Sequence, residues 1–370
     1  MHIGIDARCL GAQKTGVGTY LAEVLNHWPD RDSQDVLSLV SHQPLAYPKT
    51  ANTLHHVAGA PWGLPWYLLQ SQRLLRQLKP AVFWGAQNLL PVGLPDEIPA
   101  VLTIHDCVHR FGTRYAPSTF HSWAHRCLLP SAARRARKIL TVSRSSAEDV
   151  MRCLQTSAAK IEVTPLGVRR EFFFQKAGEA ELESKYHIKK PFILAVGTLE
   201  PRKNLKTLLQ AFALLPEDFR KRYQLVLAGK TGWGTREIRS YLAAYPLSSQ
   251  LRLPGYVPEH DLPSLYSAAE MFVFPSFYEG FGLPVLEALA AGCPVIASTA
   301  AALREIAGAA AIFVDPEGPS SEWSRAMVRV AESADLRNSL ALAGPEEARK
   351  FTWELCASKT AEILRAAAED

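Results

Sequence analysis

The stretch FPSFYEGFGLPVLEALAAGCPVIAS carries two carboxylates, Glu279 and Glu287, eight positions apart. Glu279 falls in a loop with Gly280, Phe281 and Gly282. A helix is expected to begin near Leu283, with Pro284 in its first turn. The glycines let the backbone approach a ligand closely, and the helix start offers free N–H groups and partial positive charge that suit a phosphate. Carboxylates beside such a site suit sugar hydroxyls, because each can accept two hydrogen bonds. A glutamate on a helix is ordinarily solvated, but Glu287 sits within the apolar run LPVLEALAAG. A buried, uncompensated carboxylate is costly, which favours a functional role.

A second segment, LAVGTLEPRKNLKTLLQAF, ends a strand at Gly197 and places Arg202 and Lys203 in a short loop before a helix near Asn204. A helix start is an electrostatically poor place for two cations, so an anionic ligand explains them better. Arginine can grip phosphate with its fork, and lysine acts as a point charge. In the N-terminal segment, Gly16 and Gly18 open a helix soon after the first strand, a pattern equally compatible with a tight turn. His105 and Asp106 follow a buried strand in VLTIHDCVHRF. His109, His121 and His125 read either as structural residues or as acceptor-facing ones. No HExxH or EF-hand spacing occurs, so no metal is expected.

The elements that must position these residues read as short apolar runs alternating with helical stretches. Strands are expected at Ile3–Asp6, Val36–Val40, Ala81–Trp84, Val101–Ile104, Ile139–Val142 and Ile161–Thr164. In the second half they are expected at Phe192–Val196, Gln224–Ala228, Leu251–Leu253, Met271–Phe274, Val295–Ala297 and Ile312–Val314. Nearly uninterrupted Val, Ile, Leu and Phe mark strands buried on both faces of a parallel sheet. Amphipathic segments such as Leu205–Leu215 and Asp261–Ala269 lie between them, which implies doubly wound α/β sheets. The alternation breaks between Arg169 and Lys190. The expected domains are therefore 1–180 and 181–352, with a final helix over 353–370 carrying Leu355, Ile363 and Leu364 on one side.

The chain has 370 residues, 48% apolar and 21% charged, enough for two cores and too apolar for disorder. Six scattered cysteines without CxxC spacing argue against a disulfide framework. No apolar run is long enough to span a membrane and none starts the chain, so a cytoplasmic location is expected. The net charge of +5 is lopsided: residues 1–185 hold 21 Lys and Arg against 15 Asp and Glu, and the remainder 20 against 21. The run Arg134, Arg135, Arg137, Lys138 and the segment PWGLPWYLLQSQRLLRQLK, with Trp62 and Trp66, fit peripheral contact with the inner membrane face. They equally fit an ordinary helix end and an ordinary core.

Together, EGFGLPVLE, GTLEPRKN, GYVPEHDLPSLYSAAEMFVFPS, TVSRSSAEDV, TGVGTYLAEVL and TIHD resemble a glycosyltransferase of family 4 with the GT-B fold, over nearly the whole chain. The pattern is most similar to bacterial mannosyltransferases of polysaccharide assembly. The resemblance implies two Rossmann-like domains facing a central cleft, with the last helix crossing back to the first. It implies that Arg202 and Lys203 hold the donor diphosphate and that Glu287 binds the ribose. Glu279 and the backbone of Phe281, Gly282 and Leu283 would hold the transferred sugar. The backbone near Val257 would meet the base. Gly197 would lie in the donor site, Gly16 and Gly18 over the diphosphate, and His105 at the sugar or reaction centre. The reaction would be retaining and metal-independent, from a nucleotide sugar (GDP-mannose first, then a UDP-sugar) to a saccharide or lipid-linked saccharide.

Two rival readings stand beside it. One is another GT-B enzyme, a sugar-nucleotide epimerase or phosphorylase, which would keep phosphate-binding cations without needing EGFGLPVLE. The other is a basic protein binding nucleic acid or membrane; the modest net charge does not call for nucleic acid.

Overall fold

The computed structural model describes residues 1–11, 16–29, 35–108, 119–175, 179–234, 236, 240–241 and 250–369, with side chains in the helix after 118 described from 125. The chain divides into two compact units, Met1–Gly167 with Thr352–Asp370, and Val168–Phe351. The crossing thus comes at Gly167, earlier than the expected break after 180. Residues after Val168 join the second unit through Arg169 and the short helix Glu171–Phe174, whose Phe172 packs against Tyr266. A charged stretch without strands marked the region but hid the buried aromatic that assigns it.

The first unit is built on β1 (His2–Asp6), β2 (Val36–Ser41), β3 (Thr53–Val57), β4 (Val82–Gly85), β5 (Ala100–Ile104), β6 (Lys138–Thr141) and β7 (Ile161–Val163). They form one sheet in the order β3-β2-β1-β4-β5-β6-β7, and every described pairing is parallel. β3 was not anticipated. It lies at the sheet edge, carries His55 and His56, and exposes Leu54 and Val57, so it lacks the continuous apolar run of its neighbours. The other strands fall within a residue or two of expectation.

The C-terminal helix Trp353–Glu369 belongs to this unit and packs on the helix Gly16–Asn26. Its buried face is Trp353, Cys356, Ala357, Thr360, Ala361, Leu364 and Ala367, repeating every three or four residues. Leu355, expected inside, is exposed, and Ile363 is only half-buried. The small side chains of this face permit the close approach. Trp66 is also buried in this unit's core, whereas Trp62 stands 73% exposed, so the pair does not present one aromatic surface.

The second unit contains β8 (Phe192–Val196), β9 (Gln224–Ala228), β10 (Leu251–Gly255), β11 (Met271–Phe274), β12 (Val295–Ser298) and β13 (Ala311–Val314). Their order is β10-β9-β8-β11-β12-β13, again parallel throughout the described pairings. The chain winds one way from β8 to β10, then returns to β8's other side with β11. In such open α/β sheets that reversal leaves a crevice beyond the carboxyl ends of the two central strands, where ligands bind. β8 and β11 lead into the two chemistry-bearing segments found in the sequence.

Candidate active site

Beyond β8, Gly197 turns the chain with φ at +149°, and Pro201–Lys203 form one 3-10 turn. Asn204 ends that turn in a left-handed conformation, and the helix Leu205–Ala213 follows. Gly229, at the end of β9, has φ at +152°, and a Cβ there would fall 1.9 Å from the Gly197 carbonyl oxygen. Only glycine lets the two loops touch in this way. The segment beyond it stays paired to the cation-bearing loop, with Leu199 N–H donating to the Lys230 carbonyl and Gly232 N–H donating to the Leu199 carbonyl.

Beyond β11, the loop through Glu279 ends at Gly282, which caps the helix Leu283–Ala290 with φ at +112°. A Cβ at Gly282 would meet Leu303 at 2.3 Å. Phe281 is buried with its ring 5.9 Å from that of Phe351 in an edge contact, so its backbone rather than its side chain is available for ligand contact.

These loops bring Arg202, Lys203 and Glu279 together. Lys203 Nζ donates to Glu279 Oε1 at 2.7 Å, and Ser276 Oγ donates to the same oxygen at 2.5 Å. Arg202 approaches Glu279 Oε2 at 2.7 Å and donates to the Tyr278 carbonyl at 2.9 Å. Its Nε and second terminal nitrogen fork onto Glu200 Oε1. Lys203 Nζ also stands 4.7 Å from the centre of the Phe274 ring. Burial alone would push the Glu279 carboxyl up, but Arg202 and Lys203 hold it down at about 2. For Lys203 burial outweighs its partner and lowers the ammonium from its usual range. A small pocket is lined by Gly197, Thr198, Lys203, Phe274 and Pro275 among others. Lys203 is therefore the cation that faces this space, while Arg202 is tied to Glu200 and Tyr278.

Glu287 follows on the helix Leu283–Ala290. It is buried, and Tyr266 donates to its Oε2 at 3.0 Å. Burial dominates here and pushes the carboxyl up to about 7, against the opposing pull of Tyr266 and Arg169. The two glutamates thus sit in opposite electrostatic settings. Val257 is buried just past β10.

The remaining expected residues lie in the first unit. Gly16 and Gly18 do open the helix Gly16–Asn26; residues 12–15 before it lie outside the described residues. Tyr20 of that helix meets the His105 ring edge-on at 4.9 Å. His105 Nε2 donates to the Ala86 carbonyl at 2.9 Å, since a carbonyl only accepts, so the neutral ring offers Nδ1 as an acceptor. Burial lowers its pKa and keeps it neutral. The His105 backbone N–H donates to Asn88 Oδ1. His109 and the side chain of His121 lie outside the described residues. In the basic run, Arg135 donates to the Pro95 and Ile98 carbonyls, Arg137 to Ala367, and Lys138 to Glu162. These three are structural attachments, while Arg134 is exposed.

Sequence reasoning missed Ser276, Glu200 and Tyr266. Each lay inside a segment already singled out, but a hydroxyl or carboxylate two to twenty-one positions away gives no local sign of its partner. The spacing identified the loops and not the contacts within them.

Two family models cover most of the chain. One, described as glycosyl transferases group 1, matches residues 179–347, and one described as glycosyltransferase family 4 matches residues 14–172. O-antigen chain mannosyltransferase B of Escherichia coli is 35% identical over 77% of this chain and 74% of its own length. The serotype-specific mannosyltransferase WbdA of the same species is 34% identical over 62% of this chain, which spans only 27% of that longer protein. Among solved structures, sucrose-phosphate synthase from Thermosynechococcus elongatus superposes with a TM-score of 0.78 at 20% identity, covering 99% of this chain and 98% of that one. WaaG, a glycosyltransferase involved in lipopolysaccharide biosynthesis, gives 0.78 at 15% identity, covering 98% and 99%. Fold, site and relatives together make this chain a member of the family 4 glycosyltransferases with the GT-B fold.

Proposed function

We propose that this protein transfers mannose from GDP-mannose, with retention of anomeric configuration, to a saccharide or lipid-linked saccharide acceptor in polysaccharide synthesis. The observation that carries the reading is the buried cluster of Lys203, Arg202 and Glu279 beyond β8 and β11, beside the start of the helix that holds Glu287. The E. coli relatives named as mannosyltransferases support the choice of sugar.

In this reading the donor diphosphate competes with Glu279 for Lys203 and draws Arg202 from its fork on Glu200. Both cations then stabilise the charge growing on the departing nucleoside diphosphate. The Glu279 carboxylate, which keeps Ser276 Oγ as a donor, accepts hydrogen bonds from the transferred sugar. The backbone of Phe281, Gly282 and Leu283 completes that subsite, and Glu287 takes the ribose. Gly197 and Val257 would line the diphosphate and base, with Gly16 and Gly18 over the diphosphate. His105, neutral with Nδ1 as acceptor, would receive a hydroxyl hydrogen from the sugar. The acceptor attacks the anomeric carbon on the face the diphosphate leaves, and the leaving phosphate oxygen takes the acceptor's proton. The new glycosidic bond forms as the bond from the anomeric carbon to phosphate breaks.

Charge compensation by two placed cations supports transfer without a metal. The spacing of Asp30 and Asp32 is the D-x-D pattern of metal-dependent transferases, and both residues lie outside the described set. Activity in excess chelator therefore tests this part directly. Nucleotide and sugar-nucleotide panels, read by melting temperature and then by transfer of labelled sugar, test the donor. Selective stabilisation and turnover with GDP-mannose are expected. Turnover with a UDP-sugar alone would overturn the donor assignment, and epimerisation without transfer would overturn the reaction.

A further inference from the structure

We propose that Tyr266 is the positioning residue for Glu287, fixing which carboxylate oxygen and which side-chain orientation meet the donor ribose. This inference rests on the reading of Glu287 as the ribose-binding group.

Tyr266 lies on the helix Leu262–Ala268 and Glu287 on Leu283–Ala290, so the contact joins two elements rather than neighbours within one. The tyrosine is fully buried. Its ring meets Phe272 edge-on at 5.3 Å and tilts against Phe172 at 5.8 Å. Ring packing from β11 on one side and from the helix Glu171–Phe174 on the other leaves the hydroxyl one direction, toward Glu287 Oε2. A buried tyrosine hydroxyl needs a partner, and a buried carboxylate needs a donor. With Oε2 taken, Oε1 is the oxygen assigned to the donor, and one carboxylate oxygen bridging two vicinal hydroxyls needs a fixed orientation.

The charged groups acting on Glu287 from the surrounding elements are Arg169, which favours its ionised form, and Glu259, which opposes it. Arg169 is itself bound to the Glu259 carbonyl at 2.9 Å and faces its carboxylate at 3.8 Å. Their effects on Glu287 therefore oppose one another, and the direct stabilising bond comes from Tyr266. Cys293 lies close enough to act on the tyrosine, and its thiol is pushed up by burial, so it stays neutral.

The test is Tyr266→Phe in the full chain, which keeps the ring and removes only the hydroxyl. GDP affinity is measured by calorimetry from pH 6 to pH 9, with UDP in its place if the donor panel selects a UDP-sugar. Kinetics supply kcat at saturating donor. Removing the hydroxyl takes away a bond to the ionised carboxylate, so the pH at which nucleotide binding strengthens moves upward. Nucleotide affinity is expected to fall about tenfold at pH 7 and to recover toward pH 9, with kcat within about twofold of the parent. Glu287→Gln is measured alongside. If that variant loses affinity while Tyr266→Phe matches the parent at every pH, the positioning role is overturned and the ribose reading survives. If Glu287→Gln itself binds nucleotide normally, both fall. A uniform loss of affinity in Tyr266→Phe, with no change in pH dependence, also overturns the positioning role.

Discussion

Lys203 and Glu279 hold each other in a buried ion pair whose members have unequal ties. Glu279 accepts from Lys203, Ser276 and Arg202, whereas Lys203 has this carboxylate and the Phe274 ring. Removing the lysine leaves Glu279 its other partners but takes the positive charge from the cavity wall. Lys203→Ala is expected to cut kcat about a hundredfold or more in steady-state kinetics while the protein still folds. Glu287 behaves in the opposite sense. Burial raises its carboxyl from an ordinary 4.5 to about 7, so the folded protein binds a proton that the unfolded chain has released. That contribution to stability is full below pH 4.5, shrinks as pH rises and is gone above about pH 7. Its size is on the order of 3 kcal/mol. Glu287→Gln mimics the protonated form at every pH. Its melting temperature should therefore fall less than the parent's between pH 5 and pH 8, even as nucleotide affinity is lost. Parallel melting curves would remove burial as the governing force at this residue.

Loops that touch through glycine position these side chains. The contact between Gly229 and the Gly197 carbonyl has no room for a methyl group, and both backbones occupy conformations that favour glycine. Gly229→Ala should lower unfolding free energy by more than about 3 kcal/mol in denaturant titration, because neither loop can yield without breaking the pairing through Leu199. Legibility at this scale followed burial. β8 and β11 are buried apolar runs, and both could be read directly; β3, half-exposed and carrying two histidines, could not. Glu287 and the two cations were visible because their charges contradicted their apolar or helix-start surroundings, and Glu279 because it stands in the glycine loop before the same helix. Ser276 and Tyr266 contradicted nothing locally. A hydroxyl declares its role only once the fold supplies the carboxylate it serves.

The units differ in how their chain is drawn. The second is one continuous stretch, Val168–Phe351, while the first is closed by residues from both ends of the sequence. The charged segment near 170–190 marked the approximate crossing, but its place was set by Phe172 packing on Tyr266, which composition does not display. A chain ending at Phe351 should retain cooperative hydrogen-exchange protection in the second sheet. Around the helix Gly16–Asn26 protection should be lost, because that helix would expose the surface covered by Trp353, Ala357, Ala361 and Leu364. Equal protection in both units would refute that division of stability. The same arrangement orders events during synthesis. The second unit has all its residues outside the ribosome before the helix Trp353–Glu369 emerges, whereas the first waits for that helix to cover its core. The unit whose synthesis begins first is therefore closed only after the last residue of the second, Phe351, has been made.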